Sequence, residues 1–426
     1  MVSNYAPFHG TATGHQLTVR ILFLNRAFPP DQGATGHYLA ELAQDLSHAH
    51  EVAVVCGLPD AACGGRRSFP YSRERSGSIE VWRAWGTRWD KSSPVGRILN
   101  QASFFAGAAL AARALQPPDV VVSLTDPPFL GLLGVHLKRR LGIPFVSYCE
   151  DLYPDVAAAV GMAPAPLADA FELIQKRILS NADRIVALSD DMTVRLAEKG
   201  AAGSRVTIIR NWADTHAIRP IKGENPFRKR HDLDGRFVVM YSGNFGYVWD
   251  LDVVLDAASA LRSEHDIVFM LIGDGSTRAR IESRVDRERL ANVRLLPFQP
   301  REALSQSLGA ADLHVVPMRA GVSGTVVPSK IYGIMAAGRA SATLAEPGSE
   351  AASVVRTHRC GWHGQPGDVS ALVKMIRRAA SEPEQLMAMG ACARAAVERE
   401  YARPIQTRKF RALLESLVEA QASAAA

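Results

Sequence analysis

The sequence predicts an α/β protein of two successive doubly wound domains, and three observations carry that prediction. Short apolar runs of β type alternate with helical segments along the chain. Many of these runs end in a glycine-bearing or acidic loop, as where TVRILFLN passes into RAFPPDQGATGH. The pattern breaks at Trp212–Asp234, a polar, proline-bearing stretch, and restarts at Phe237–Tyr241. Strand, loop and helix in repetition build a parallel sheet whose ligand crevice lies at the carboxyl ends of the strands. Two such units give a cleft between them.

Length and composition agree. A chain of 426 residues exceeds one core and suits two domains. Hydrophobic content of 47% and charged content of 22% are those of a soluble globular protein. The net charge of +6 fits anionic ligands without requiring nucleic acid, and no nucleic-acid recognition motif accompanies it. The five cysteines, Cys56, Cys63, Cys149, Cys360 and Cys392, are widely spaced and form no CxxC pair. They read as reduced thiols, without a zinc site. Residues 1–17 lack the apolar centre of a signal peptide, and no apolar run reaches a membrane-spanning length. The expected location is cytoplasmic.

In the first half, a strand at Thr18–Asn25 leads through Gly33 and Gly36 into a helix from Tyr38 to Leu46. There is no GxGxxG, so Gly33, Gly36 and His37 are candidate cleft residues on position alone; a histidine placed like His37 is more often a helix-start residue. Glu51–Cys56 is the second strand. Gly65–Arg97 carries eight Arg/Lys against three acids, with Tyr71, Trp82, Trp85 and Trp89 interleaved. One reading is a surface for anionic lipid headgroups or an acidic acceptor; the plainer one is a strand, Ser78–Ala84, between solvated loops. An apolar helix, Val95–Leu115, precedes the strand Asp119–Leu124. A helix through Arg140 and the strand Pro144–Tyr148 follow. That strand runs into Glu150, Asp151 and Asp155, with Tyr153 between them, three acids placed to meet an acceptor hydroxyl or to cap the next helix. A strand within Asn181–Ser189, a helix at Asp190–Gly200 and the strand Val206–Asn211 complete this half.

In the second half, Phe237–Tyr241 runs into a glycine turn with Gly243 and Asn244, then a helix at Asp250–Leu261. Strand Ile267–Ile272 ends at Gly273. Helix Thr277–Arg284, strand Val293–Leu296, helix Arg301–Leu308 and strand Leu313–Pro317 follow. The stretch Ala320–Gly338, AGVSGTVVPSKIYGIMAAG, organises the rest. Its small-residue loop, with Ser323, Gly324 and Thr325, brings amides close to an anion. Ser329 is placed as an N-cap and Lys330 in the first turn of a helix, a site for a diphosphate. Glu350 opens a helix at Ala351–Thr357 as a cap or as a contact for sugar hydroxyls, and further helices run from Val369 to the tail.

The order of these motifs resembles the retaining nucleotide-sugar glycosyltransferases of family 4, which have the GT-B fold of two Rossmann-like domains facing a central cleft. The matching residues are Tyr241–Asn244, Leu271–Gly275, Val293–Phe298, Ala311–Leu313 and Gly324–Gly338, with Ala182–Ile185 and Ile209–Trp212 before them. GTVVPSKIYGIMAAG and Asp151–Asp155 are similar to bacterial enzymes of surface-polysaccharide assembly, around the colanic acid and N-acetylfucosamine transferases. The resemblance implies residues 18–215 as an acceptor-side domain, 216–234 as linker, 235–400 as donor domain, and 401–426 as a terminal helix returning to the first domain.

It further implies a nucleotide diphosphate-sugar donor, UDP-sugar favoured, a saccharide or lipid-linked acceptor, retained anomeric configuration and no metal or other cofactor. The base lies near Phe298. The diphosphate meets Gly243, Asn244, Gly273, Arg319, Ser323, Gly324, Thr325, Ser329 and Lys330, and Glu350 reaches the sugar. Lys330 and Asp151 carry the catalysis; Gly33, Gly36, His37 and Tyr153 face the acceptor. Two departures stand out. Many members carry two glutamates eight positions apart, where this chain has Thr325 and Gly333. Many also pair an arginine and a lysine near Asn244 and Trp249-Asp250, and here Lys330 is expected to supply that charge. Asp250-Leu-Asp252 has the look of a metal motif but falls at a helix start. A nonhydrolysing sugar-nucleotide epimerase, or a noncatalytic donor-binding subunit of a transferase complex, are the alternatives.

Overall fold

A computed structural model describes residues 18–31, 33–59, 68–89, 94–162, 165–201 and 203–425. The N-terminal unit contains β1 (Arg20–Leu24), α1 (Ala34–Leu46), β2 (Glu51–Gly57), β3 (Tyr71–Ser76), β4 (Ile79–Ala84), α2 (Pro94–Ala114), β5 (Val120–Ser123) and α3 (Gly131–Leu141). It continues with β6 (Phe145–Tyr148), α4 (Asp155–Ala159), α5 (Ala165–Asn181), β7 (Arg184–Ala187), α6 (Asp190–Glu198) and β8 (Val206–Ile208). Its eight strands run in the order β3-β4-β2-β1-β5-β6-β7-β8, parallel throughout except for the β3–β4 hairpin.

The second unit contains α7 (Pro226–Arg230), β9 (Phe237–Ser242), α8 (Leu251–Ala260), β10 (Ile267–Ile272), α9 (Arg278–Glu288), β11 (Val293–Leu296), α10 (Leu304–Gly309) and β12 (Leu313–Pro317). Then come α11 (Lys330–Ala336), β13 (Ala340–Leu344), α12 (Glu350–His358), β14 (Gly361–Gly364), α13 (Val369–Ser381), α14 (Pro383–Ala396) and α15 (Arg403–Ala425). Its six strands lie in the order β11-β10-β9-β12-β13-β14 and are all parallel. Order reversals at β1/β5 and at β9/β12 mark the two crevices.

Burial explains the strands the sequence made plain. β1, β5, β6 and β10 are covered on both faces, so their sequences are continuous apolar runs rather than alternating ones. Five elements were not foreseen, one of them α7, a helix capped by Asn225 inside the stretch expected as linker. β3, YSRERS, is a charged edge strand held by pairing with β4. β13, ASATL, and β14, GWHG, carry too little apolar bulk to signal a strand. The long α5 lies in a stretch left unassigned. α1 also begins four residues before the expected Tyr38, because glycines in a first helical turn do not stop it.

Within the basic aromatic segment, Trp82 is core, 6% exposed, with Arg73 over its ring and its indole N–H donated to Glu80. Arg83 is buried and bonded to Glu74 and the Pro29 carbonyl. Gly65–Arg67 and residues 90–93 of that segment lie outside the described residues. Phe227, inside the 216–234 stretch, is buried with Val238, Met240 and Val268 in the second unit. The last helix crosses back: Phe410 packs on Phe23 and Tyr148, and Arg403 pairs with Asp45. No helix among the described residues is long and apolar enough to cross a membrane.

Candidate active site

The two crevices face each other and touch. Asp151, after β6, bridges to Val326 before α11, and Leu152 N–H donates to the Thr325 carbonyl at 2.8 Å. Arg301, after β11, pairs with Glu41 on α1 and lies 3.5 Å from His37 Nδ1. The cleft is thus bounded by the loop exits of both sheets.

Lys330 is the centre of the second domain's side. Its Nζ lies 3.7 Å from the ring centroids of both Tyr241 and Trp249 and has no hydrogen-bond partner. Aromatic faces attract a cation by their quadrupole, but they do not satisfy the ammonium's three N–H donors. Burial holds its pKa well below the usual lysine range. A Cβ on Gly243 would stand 3.2 Å from Lys330 Cε and Nζ, so the glycine opens the end of β9 to this amine. Gly273 has φ +148°, and a Cβ there would fall 1.9 Å from the Gly243 carbonyl. Both glycines bring the backbone of β9 and β10 together below the amine. Asn244 is exposed at the rim beside them, with its carbonyl accepting from Tyr241 Oη.

The small-residue loop departs from expectation. Its amides do not stand open for a diphosphate. Gly321 and Ser323 N–H donate to the Glu346 carboxylate at 3.2 Å each, and Gly324 N–H donates to Asp191 at 2.8 Å. Ser323 Oγ also donates to Asp191, while Thr325 is buried and its hydroxyl donates to the Val322 carbonyl. Two carboxylates thus occupy the anion position that the loop's conformation creates. Ser329 also differs: it already has helical dihedrals, makes no capping bond, and its hydroxyl lies against the Tyr38 phenol. The helix it precedes has only seven residues, so Lys330 rather than a helix dipole is the electropositive feature.

The facing wall is acidic. Glu150 is 6% exposed, and its Oε1 has no donor. Burial, then neighbouring Asp151, pushes its carboxyl up to about 8, against the opposing pull of the nearby Tyr148 and Asn211 side chains. Asp151 is pushed up to about 6, by burial and then by Asp126, and its N–H donates to Thr125 Oγ1. Glu150 is therefore protonated and Asp151 largely ionised near neutral pH. Tyr153 is adjacent, and burial keeps its phenol protonated. His37 sits in the first turn of α1, Gly33 precedes that helix, and Gly36 packs against the Ala27 backbone. Burial and Arg301 lower the His37 pKa, leaving it a neutral imidazole at the cleft edge.

Three candidates sit away from this centre. Phe298 is 39% exposed on the loop before Arg301. The Arg319 guanidinium turns toward Asp252, 4.0 Å away, leaving Nε buried and unpartnered. Asp252 also pairs with Arg280 and Arg284, so the aspartate of the metal-like motif serves an arginine cluster. Glu350 does not cap α12; Ser349 does, accepting from Ala352 N–H. Glu350 Oε1 instead accepts from Arg210 Nε at 2.8 Å and Tyr332 Oη at 3.2 Å. It ties β8's exit to the second domain.

Sequence reasoning did not single out Glu346, Asp191, Glu41 and Arg301, and it named Tyr241 only as part of a motif, not as a site residue. Only their tertiary neighbours distinguish them from ordinary core or surface residues.

Two parallel-sheet units closing on such a cleft, with an unpaired lysine at the strand ends of the second, define the class of GT-B transferases. The glycosyl transferase 4-like domain matches residues 33–212, and the glycosyl transferases group 1 domain matches residues 224–396. Together the two matches cover most of the chain, which belongs to this glycosyltransferase family. It is 29% identical to the putative colanic acid biosynthesis glycosyl transferase WcaI of Escherichia coli K12, over 86% of this chain and 93% of that one. Among solved structures, sucrose-phosphate synthase from Thermosynechococcus elongatus superposes with a TM-score of 0.79 at 18% identity, over 94% of this chain and 99% of that one. Anabaena Alr3699/HepE in complex with UDP-glucose gives 0.71 at 15% identity, over 94% and 100%.

Proposed function

We propose that this chain transfers a sugar, with retention and without a metal, from a UDP-sugar to a saccharide or lipid-linked saccharide in cell-surface polysaccharide assembly. The observation that carries the reading is Lys330 Nζ, buried and unpartnered beside the Gly243 backbone. A diphosphate laid on that backbone supplies the acceptor oxygens the amine lacks. Leaving-group charge grows on the β-phosphate, so an ammonium fixed there stabilises the transition state more than the ground state. Across the cleft, ionised Asp151 accepts a hydrogen bond from the acceptor hydroxyl and orients it. Support for the donor comes from HepE, a neighbour in fold that binds UDP-glucose, and support for the pathway from WcaI.

The chain would work on the cytoplasmic face of the membrane. Trp89, Val95, Ile98 and Leu99 are exposed around the start of α2, where Asn100 bonds the Trp89 backbone. Such side chains, with Arg97 among them, suit an interface of anionic lipid.

The test is a thermal-shift screen against UDP, GDP, ADP, CMP and their sugars with EDTA present, followed by transfer from the sugar nucleotide that binds. Saturation at a hundredfold over Kd stabilises by about 2.7 kcal/mol. A metal-independent rise with UDP and release of UDP only with acceptor support the reading. Conversion of the donor without acceptor would instead mean an epimerase. Silence toward every nucleotide would leave the noncatalytic reading.

A further inference from the structure

On the hinge side of the molecule, beside the exit of β8, lies a second cavity, of about 370 Å³, whose lining includes none of Lys330, Tyr241 and Gly243. It opens where Arg210, the outer face of α12 and the segment from Arg399 to Lys409 meet. The chain leaves regular helix there: Val397–Tyr401 winds as a π-helical turn, and Ala402 then extends to bridge with Ala213. Turns with an extra residue of this kind are frequent at functional sites.

The lining specifies a ligand chemistry. Arg210 is matched by Glu350 and Arg399 by Glu400, whereas Lys409 is exposed and makes no ion pair among the described residues. Asp190 also pairs with Arg210, so Lys409 is the one lysine or arginine of the lining with no carboxylate partner among the described residues. Gln406 is 1% exposed; its amide N–H donates to the Glu400 carbonyl, and its Oε1 has no donor. A buried amide oxygen in this state calls for a hydroxyl or N–H. Ser353 and Thr357, one helical turn apart on α12, add two hydroxyls to the wall. An anion bearing hydroxyl groups meets all three demands. The volume exceeds what inorganic phosphate fills and lies at the small end of ligand sites.

We propose that this hinge cavity binds a phosphorylated monosaccharide, with its phosphate at Lys409 and a hydroxyl on Gln406 Oε1. The site is coupled to the donor helix. Glu350 lines the cavity and accepts from Tyr332 Oη, and the Tyr332 ring packs 4.9 Å from Tyr401. Tyr332 follows Lys330 by two residues on α11, so a ligand spanning α12 and the crossover biases the setting of that helix. Any effect on donor affinity must be reciprocal.

Calorimetric titration of the full chain with glucose 6-phosphate, inorganic phosphate and glucose tests this. Glucose 6-phosphate is expected to bind with Kd of about 1 mM or tighter, and each of the other two at least about tenfold more weakly. Lys409→Glu should weaken the sugar phosphate by about tenfold or more with an unchanged unliganded melting temperature. Ser353→Tyr, from an exposed position, fills the cavity and should abolish binding even where the charge reversal impairs folding. No saturable binding up to about 10 mM overturns the proposal, as does equal affinity for inorganic phosphate. Binding indifferent to both substitutions overturns it too, because it would place the ligand elsewhere.

Discussion

Asp191, at the start of α6 in the first domain, accepts the amide of Gly324 from the second at 2.8 Å. Gly324 has φ +72°, and a Cβ there would lie 2.6 Å from the Asp191 carbonyl. The carboxylate both fastens the domains and holds negative charge in the loop.

Asp191→Asn keeps an oxygen for the amide and removes the charge. Under the diphosphate reading it should tighten UDP binding about three- to tenfold, measured by calorimetry. Gly324→Ala should lower stability by about 1–3 kcal/mol through backbone strain and the clash with α6. A melting temperature indifferent to it would show that the domains do not close through this contact.

Lys330→Met removes the ammonium while keeping the stem between Tyr241 and Trp249. UDP affinity should fall by about 1.5–3 kcal/mol, the range for hydrogen bonds to charged groups. Stability should hold or rise, since an unpaired buried amine is lost. Because burial depresses the lysine pKa, an arriving diphosphate should raise it and draw in a proton. Heats that do not vary with buffer ionisation enthalpy would exclude that uptake.

Gly333 stands where the resemblance leads one to expect a glutamate. A Cβ there meets only Leu308, at 3.6 Å, so a side chain can leave the helix at this position without a clash at its first carbon. Gly333→Glu should fold, gain about 1 kcal/mol of helix stability and bind the nucleoside diphosphate more tightly. Unaltered affinity for UDP would mean that the ribose does not lie over this position.

Glu150 carries a pH dependence with a definite sign. Its carboxyl is raised to about 8 in the fold, so between the ordinary carboxylate range and that value the folded state holds a proton the unfolded chain has lost. Its contribution is complete at low pH and fades as pH rises toward 8, with a slope of up to about 1.4 kcal/mol per pH unit. Urea midpoints of Glu150→Gln should decline less between pH 5.5 and 8 than those of the parent, by about that slope. Parallel profiles would assign the titration to another group.

The sequence by itself determined the two parallel-sheet domains, because strands covered on both faces must be written as apolar runs that no tertiary context is needed to read. It also placed Gly243 and Asp151 at strand ends, since loop exits follow directly from strand ends, and Lys330 at the start of a helix. What it left open depended on residues distant in the chain. The charged β3 becomes a strand only through β4, and Ala340–Leu344 only between its two neighbours. Glu350 reads as a cap until Arg210 and Tyr332, separated from it by 140 and 18 positions, bind its carboxylate. The open anion loop likewise became a loop filled by Asp191 and Glu346, because carboxylates brought by other elements satisfied the amides first. Tertiary structure decided these points, since a polar group leaving water takes whichever partner the fold delivers.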